Sequence, residues 1–314
     1  MEMKKRNFIK TGIGLGMALC AAAFLATGCG NDNEAAMPES DGRVALQVNS
    51  GIDVQSRAHD DTWEADDAIG IYMLRDDGSI EAANSKYTTH AGGTDGAFAP
   101  AADDQTIYFP VNGDPRDFIA YYPYRTLGGD HIYPVDVTIQ APQKDIDLMG
   151  AGKVTGKDKN HPAVAFTFTH KLVKLALAIR PDGTSLTAED LDGLAVTLTN
   201  QQTRATYNVV TGGSVTIGEG EPATITLLTA ADGTSAEGIV LPNSDTKDML
   251  FEFKLKNGID TFRWAIKEAE KSERFAAGSK YLYTLTLGRT GIEVISTVTD
   301  WMPGNGEGET GNAQ

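Results

Sequence analysis

The residues of this sequence whose types suit chemistry are five histidines, two cysteines, several acidic pairs and a tyrosine cluster. A protein zinc site draws on Cys, His, Asp and Glu at close, characteristic spacings. His59, His90, His131, His161 and His170 make no H-E-x-x-H pair and no other close ligand spacing. His170 stands where two alternating apolar runs meet, a structural position. There is no G-x-S-x-G nucleophile elbow and no Walker-type phosphate loop. A glycosidase needs two carboxylates facing each other across roughly 5–10 Å. Asp60-Asp61, Asp66-Asp67, Asp76-Asp77 and Asp103-Asp104 are adjacent pairs, and neighbours on a strand point to opposite faces. They read as solvated acidic turns. Asp145-Ile-Asp147 lacks the remaining positions of a calcium loop. Tyr121-Tyr122-Pro123-Tyr124 would suit a sugar-stacking platform. Alternation instead groups Phe118, Ala120 and Tyr122 on one face, with Tyr121 on the other, which fits core packing beside a tyrosine-rich turn. No catalytic constellation, metal site or cofactor is expected.

The arithmetic agrees. The 314 residues carry 27 Lys plus Arg against 43 Asp plus Glu, a net charge of −16. That balance opposes binding to nucleic acid or to an anionic membrane surface through a basic patch. Two cysteines make neither a disulfide scaffold nor a thiolate zinc site. Hydrophobic residues at 41% are enough for a core. Lys4, Lys5, Arg6 and Lys10 precede an apolar run from Ile13 to Ala26, shorter than the ~20 residues of a membrane span. A basic start, a short apolar stretch and small residues read as a secretory signal. The Gly12, Gly14, Gly16 run lies inside it, with no strand before it, and is no dinucleotide loop.

Most of the chain reads as strands. Val44 to Val48, Ala68 to Leu74, Thr106 to Pro110 and Asp117 to Tyr122 come first, bracketed by Pro and Gly. Val164, Phe166 and Phe168 alternate, as do Val173, Leu175, Leu177 and Ile179. Further short runs follow at 194–198, 206–210, 214–217 and 224–228. Met249 to Leu255, Tyr281 to Leu287 and Glu293 to Val298 complete the set, with Trp301 after them. Thr187 to Asp190 is a candidate capped turn. Ala265 to Ala277 reads either as one helix or as a loop. Many short strands with Gly/Pro turns and no long helix between them indicate an all-β protein of two β-sandwich domains. The expected divisions are a signal peptide at 1–28, a polar linker at 29–43 and domains at 44–160 and 161–302. A Gly-, Glu- and Asn-rich tail occupies 303–314.

Two resemblances sharpen this reading. Leu25-Ala26-Thr27-Gly28-Cys29, followed by a polar segment, resembles a bacterial lipoprotein signal. It implies cleavage before Cys29 by lipoprotein signal peptidase and a lipid on its sulfur. An ordinary secretory signal with an incidental cysteine is the alternative. Cys20, directly after Leu19, fits less well. Asp32 and Glu34 resemble the export signals of Bacteroides-type surface lipoproteins.

An ordered series of short motifs resembles the fimbrillin family of those bacteria. Ser56-Arg57-Ala58 precedes Trp63-Glu-Ala-Asp-Asp-Ala-Ile69-Gly70-Ile71-Tyr72. Ile107-Tyr-Phe-Pro110, Phe118-Ile-Ala-Tyr-Tyr-Pro-Tyr124 and Asp147-Leu-Met149 come next. Then follow Phe166-Thr-Phe-Thr-His170-Lys-Leu172, Phe275-Ala-Ala-Gly278, Tyr281-Leu-Tyr283 and Asp300-Trp301. The resemblance implies two sandwich domains of transthyretin-like Greek-key topology and export to the outer membrane. It also implies a structural, non-catalytic role in a fimbrium. An arginine-specific protease would remove an N-terminal strand, and another subunit's strand would fill the vacated groove. Carried onto this sequence, the cut falls after Arg57, with Arg43 as the alternative. Val44, Leu46 and Val48 then belong to the displaced strand. Val294, Ser296, Val298 and Trp301 mark the candidate donor. Partners are other fimbrial subunits, the two proteases, the outer membrane through the lipid, and a host or bacterial surface ligand. A non-polymerising lipoprotein that binds glycan or a host ligand, or an anchor or tip subunit, is the other reading.

Overall fold

The computed structural model describes residues 42–52, 62–90, 92–93, 95–256, 258, 260–269 and 271–301. The expected signal peptide, Cys29, Arg57 and the tail lie outside the described residues. Nine strands come before residue 171: β1 (Gln47–Ile52), β2 (Ala68–Leu74), β3 (Ile80–Thr89), β4 (Asp95–Pro100), β5 (Arg116–Tyr122), β6 (Ile132–Asp136), β7 (Met149–Ala151), β8 (Val154–Lys157) and β9 (Ala163–His170). Seven of them run in the order β2-β3-β4-β1-β9-β7-β5, and β5 pairs back onto β2, closing a barrel; β8 extends β5.

A two-sheet sandwich is the sequence expectation for this half, and the closed ring departs from it. In-and-out alternation is the same along a sandwich strand and a barrel strand, so periodicity does not separate them. The pairing of Gly70 to Leu74 with Tyr121 to Asp117 decides the matter. Closure also removes the exposed edges that two open sheets would leave.

The second half contains β10 (Val173–Pro181), β11 (Ala195–Gln201), β12 (Arg204–Asn208), β13 (Thr216–Ile217), β14 (Ala223–Thr226), β15 (Leu228–Thr229), β16 (Ser235–Val240), β17 (Leu250–Lys254), β18 (Thr261–Ala265), β19 (Ser279–Gly288) and β20 (Gly291–Asp300). A five-stranded sheet, β15-β16-β10-β19-β20, and a four-stranded sheet, β14-β11-β17-β18, share one buried core. Val173, Leu175, Leu177 and Ile179 enter it from the first sheet, and Met249, Phe251, Phe253 and Leu255 from the second. The one α-helix among the described residues, α1 (Ala188–Leu191), starts at a capping box in which Thr187 and Asp190 serve each other's backbone N–H. Residues 265–277 are not a long helix: one 3₁₀ turn, Ile266–Glu268, is flanked by irregular chain.

The halves are joined by more than the connecting chain. β9 follows the expected boundary at 160 but pairs with β1 in the barrel. β6 from the first half pairs with β12 from the second, and β13 extends this three-stranded sheet. Strands β2 and β5 are buried on both faces. Ile69, Ile71, Met73, Phe118, Ala120 and Tyr122 point into the barrel core, while Tyr72, Leu74, Ile119 and Tyr121 pack into the core of the second half. Gly70 makes this possible: a Cβ there would lie 2.3 Å from Cε1 of Tyr121. Tyr121 is therefore an inter-layer core residue, with its hydroxyl donating to Asn84 Oδ1 at 2.7 Å.

Candidate functional site

The slot held by β1 is built from alternation. Leu46, Val48 and Ser50 are buried in the barrel, while Gln47 and Asn49 are exposed. Leu46 and Val48 are each 4% exposed and pack in one cluster with Phe98, Val164, Phe166 and Phe168. Val44, half-buried, packs against the same cluster. Both edges of β1 are hydrogen-bonded. It runs antiparallel to β4, with Val48 opposite Phe98, and parallel to β9, with Val48 opposite Val164. The leading residues are tied down as well: Phe109 N–H donates to Val44 O, and Leu46 N–H to Ile107 O, each at 2.9 Å. The expected strand at Thr106 to Pro110 is thus a single bridge, Ala45 with Tyr108, rather than a ladder.

Aromatic rings close one end of the slot. Trp63 meets Phe98, Tyr122 and Phe168 edge-on at 5.0, 5.3 and 5.4 Å between ring centres. Its indole N–H donates to Ser50 O at 3.3 Å, tying it to β1. Beside it, burial pushes the Asp67 carboxyl above its ordinary range, although Glu64 N–H and Tyr122 O–H both donate to it. Removing β1 would strip β4 and β9 of a pairing partner and bare the apolar wall between them. Such an opening binds an extended strand by backbone hydrogen bonding and side-chain insertion.

The two arginines differ in setting. Arg43 is exposed at the start of this segment, its guanidinium 4.4 Å from the centre of the Tyr108 ring. The residues just after it, Val44 to Gln47, are hydrogen-bonded into the barrel. A protease that reads an extended substrate would have to pull them out. Arg57 lies outside the described residues, between β1 and Trp63 in sequence.

The candidate donor forms β20. It pairs along its whole length with β19, from Gly291 opposite Gly288 to Asp300 opposite Ser279, and is the edge strand of its sheet. Val294, Ser296 and Val298 are half-buried, and Ile292 lies on the same face. Ile295, on the outer face, is 67% exposed. Trp301 anchors the end. Its ring stacks on His170 at 3.9 Å and 6°, and the backbone N–H of Trp301 donates to Gly278 O. His170 Nδ1 is 2.7 Å from Asp147 Oδ1. His170 is thus a buried structural residue. Its link to Trp301 is not visible in the sequence, where 131 positions separate them.

Among the described residues no group of three or more His, Cys, Asp or Glu side chains is placed to hold a metal ion. No helix there is long and apolar enough to cross a membrane.

Residues 56–301 match the family model described as fimbrillin-like. The chain belongs to the fimbrillin-like family. It is 55% identical over 301 residues to a Bacteroides uniformis protein provisionally named fimbrium subunit Fim1C, covering 94% of this chain and 98% of that one. A crystal structure from B. uniformis, provisionally described as a cell adhesion protein, superposes with a TM-score of 0.77 at 52% identity. It covers 84% of this chain and 99% of the other. A Bacteroides ovatus structure with the same kind of description reaches a TM-score of 0.66 at 19% identity, covering 83% and 98%, and shares the fold. Fimbrillin-like proteins are structural and non-catalytic, so this chain is not an enzyme.

Proposed function

We propose that this chain is a structural subunit of a cell-surface fimbrium, exported as an outer-membrane lipoprotein through Cys29. In this reading cleavage after Arg57 frees β1 together with the lipid. The slot between β4 and β9 then receives β20 from another copy. Family membership and the names of the close relatives support the fimbrial role.

One observation carries the exchange step. Leu46, just before β1, and Val48 and Ser50 within it enter the barrel, and position 52 is Ile. The inward positions of β20 are Ile292, Val294, Ser296 and Val298. Placed in the same direction, the two segments repeat one pattern: branched aliphatic, Val, Ser, branched aliphatic, each two residues apart. Because the side-chain period is two, this register presents like to like, and a one-residue slip would turn every apolar group outward. A donor in this register would seat Val294 opposite Phe98 and Val164, as Val48 is now. The barrel acts as acceptor and the edge of the second half as donor.

The test is to treat purified precursor with an arginine-specific protease and resolve the products without boiling in SDS. Ladders of multimers are expected, and Arg57→Ala should abolish them. Monomer that persists after complete cleavage would contradict the reading.

A further inference from the structure

Beyond the β1 slot, a groove of about 560 Å³ opens where the barrel meets the turn after β12. That size lies within the ~300–1,000 Å³ range of small-ligand sites. Its walls mix apolar side chains, Ile119, Val154 and Val210 among them, with hydroxyls and two lysines, on a chain whose net charge is −16. Lys171, Lys153, Thr167, Thr169 and Tyr207 all line it.

Three features set the groove apart from an ordinary surface. First, Lys171 is half-buried, and its ammonium donates to Thr169 Oγ1 at 3.1 Å but forms no salt bridge with a carboxylate among the described residues. Burial alone pushes its pKa below the ordinary lysine value, with no acidic neighbour to offset it. Lys153 reaches Asp117 only at 3.7 Å. Second, β9 is paired with β1 on one edge over residues 163–168, while on the other edge β7 covers only residues 168–170. No strand pairs with Ala163 to Thr167 on that second side among the described residues, and Ala165 and Thr167 line the groove. Third, Gly150, buried just behind the groove, leaves room for two of its lining side chains. A Cβ there would sit 2.2 Å from the Tyr207 hydroxyl and 2.7 Å from Lys171 Cε, so both side chains converge over it. Burial raises the Tyr207 phenol to about 12, which keeps it a neutral hydroxyl able to donate.

We infer that this groove binds an acidic saccharide unit, its oxyanion on Lys171 and Lys153 and its hydroxyls on Thr167, Thr169 and Tyr207. An ammonium that lacks a protein carboxylate gains the most from an external one. The hydroxyls of Thr167, Thr169 and Tyr207 suit those of a sugar ring, and the apolar side chains of Ile119, Val154 and Val210 suit its C–H face. The oxyanion is a carboxylate or a sulfate on the sugar. Such a site would give a fimbrial subunit a contact with acidic glycan independent of subunit exchange.

The experiment is calorimetric titration of the uncleaved full chain at low ionic strength. The probes are a galacturonic acid disaccharide, a sulfated disaccharide and neutral cellobiose. Saturable binding of at least one acidic probe is expected, with cellobiose at least tenfold weaker; which acidic probe binds identifies the oxyanion. Lys171→Met should weaken binding at least tenfold and Lys153→Met severalfold. Lys247→Met, at a surface lysine paired with Asp245, should change nothing. Equal binding of cellobiose, unchanged binding by both Lys171→Met and Lys153→Met, or no binding of either acidic probe overturns the inference. Should Lys171→Met lower the melting temperature sharply, Lys153→Met and Lys171→Arg, the latter retaining affinity, decide it. The precursor need not polymerise, so the result stands apart from the outcome of protease assembly.

Discussion

Leu46→Ala probes how firmly the removable strand is held. Leu46 is almost fully buried among the barrel's apolar side chains and sits next to the backbone bond from its own N–H to Ile107 O. Truncating a buried leucine costs about 2–5 kcal/mol, the higher end applying where the cavity cannot collapse. The surrounding barrel is closed, so little relaxation is expected. At ~2–4 °C per kcal/mol for a chain of this class, the precursor should melt roughly 4–20 °C lower. The same loss acts on the nicked protein, where β1 is held by non-covalent contacts alone. Each ~1.4 kcal/mol is a factor of ten, so release of the cleaved segment should be easier by roughly 30-fold to a few thousand-fold. Thermal unfolding of the precursor gives the first number. Exchange against a fluorescent peptide spanning residues 291–300, after cleavage, gives the second. Gln47→Ala, on the exposed face of the same strand, is the control and should stay within about 0.5 kcal/mol of wild type. If Leu46→Ala behaves like Gln47→Ala in both assays, the strand is not held by its inward face and the reasoning fails.

Other outcomes follow from the same geometry. Arg57→Ala should block conversion of the precursor by an arginine-specific protease, while Arg43→Ala should leave it unchanged, because Val44 to Gln47 are bonded into the barrel; N-terminal sequencing of the product, expected to begin at Ala58, checks both. Trp301→Ala should cost about 3–5 kcal/mol by emptying the stack on His170, read by denaturant unfolding, and should speed donation of β20. Asp182 accepts from the N–H groups of Thr184, Ser185 and Leu186 and from two hydroxyls, which holds its carboxyl well below the ordinary value of 3.8. A depressed folded pKa contributes stability that is present above the unfolded value and lost as pH falls through the folded one. The melting temperature of the wild type should therefore decline below about pH 4, and Asp182→Asn should flatten that decline.

Much of the fold was legible because alternation is a local property. The inward faces of β9, β10, β17 and β19 could be read from apolar residues two apart, and each is buried as expected. β3 and β16 were not legible: IEAANSKYTT and SAEGIV mix small and polar residues at positions that packing partners, not hydropathy, determine. Barrel closure was equally hidden, since it depends on which distant strand meets β2. The double burial of β2 and β5 turned Tyr121 from an apparent outward aromatic into a core residue. At the candidate site, the strand from Val44 to Val48 and the run from Glu293 to Val298 were visible in the sequence. That they carry the same inward pattern became meaningful only once the faces were known. The stack of Trp301 on His170 joins residues far apart in sequence, and no local signal announces it.

The central claim is that β20 of one copy takes the place of β1 in another, in one register. Asn49 now lies opposite Ala97, both on the outer face, and the proposed register puts Ile295 where Asn49 was. Residues 58–314 contain no cysteine, so engineered pairs report without interference. Protease-treated subunits carrying Ala97→Cys should be mixed with subunits carrying Ile295→Cys and oxidised. The account predicts an intermolecular disulfide for this pair and little for Ala97→Cys with Glu293→Cys. Equal cross-linking of the two pairs, or none in assembled ladders, would contradict it.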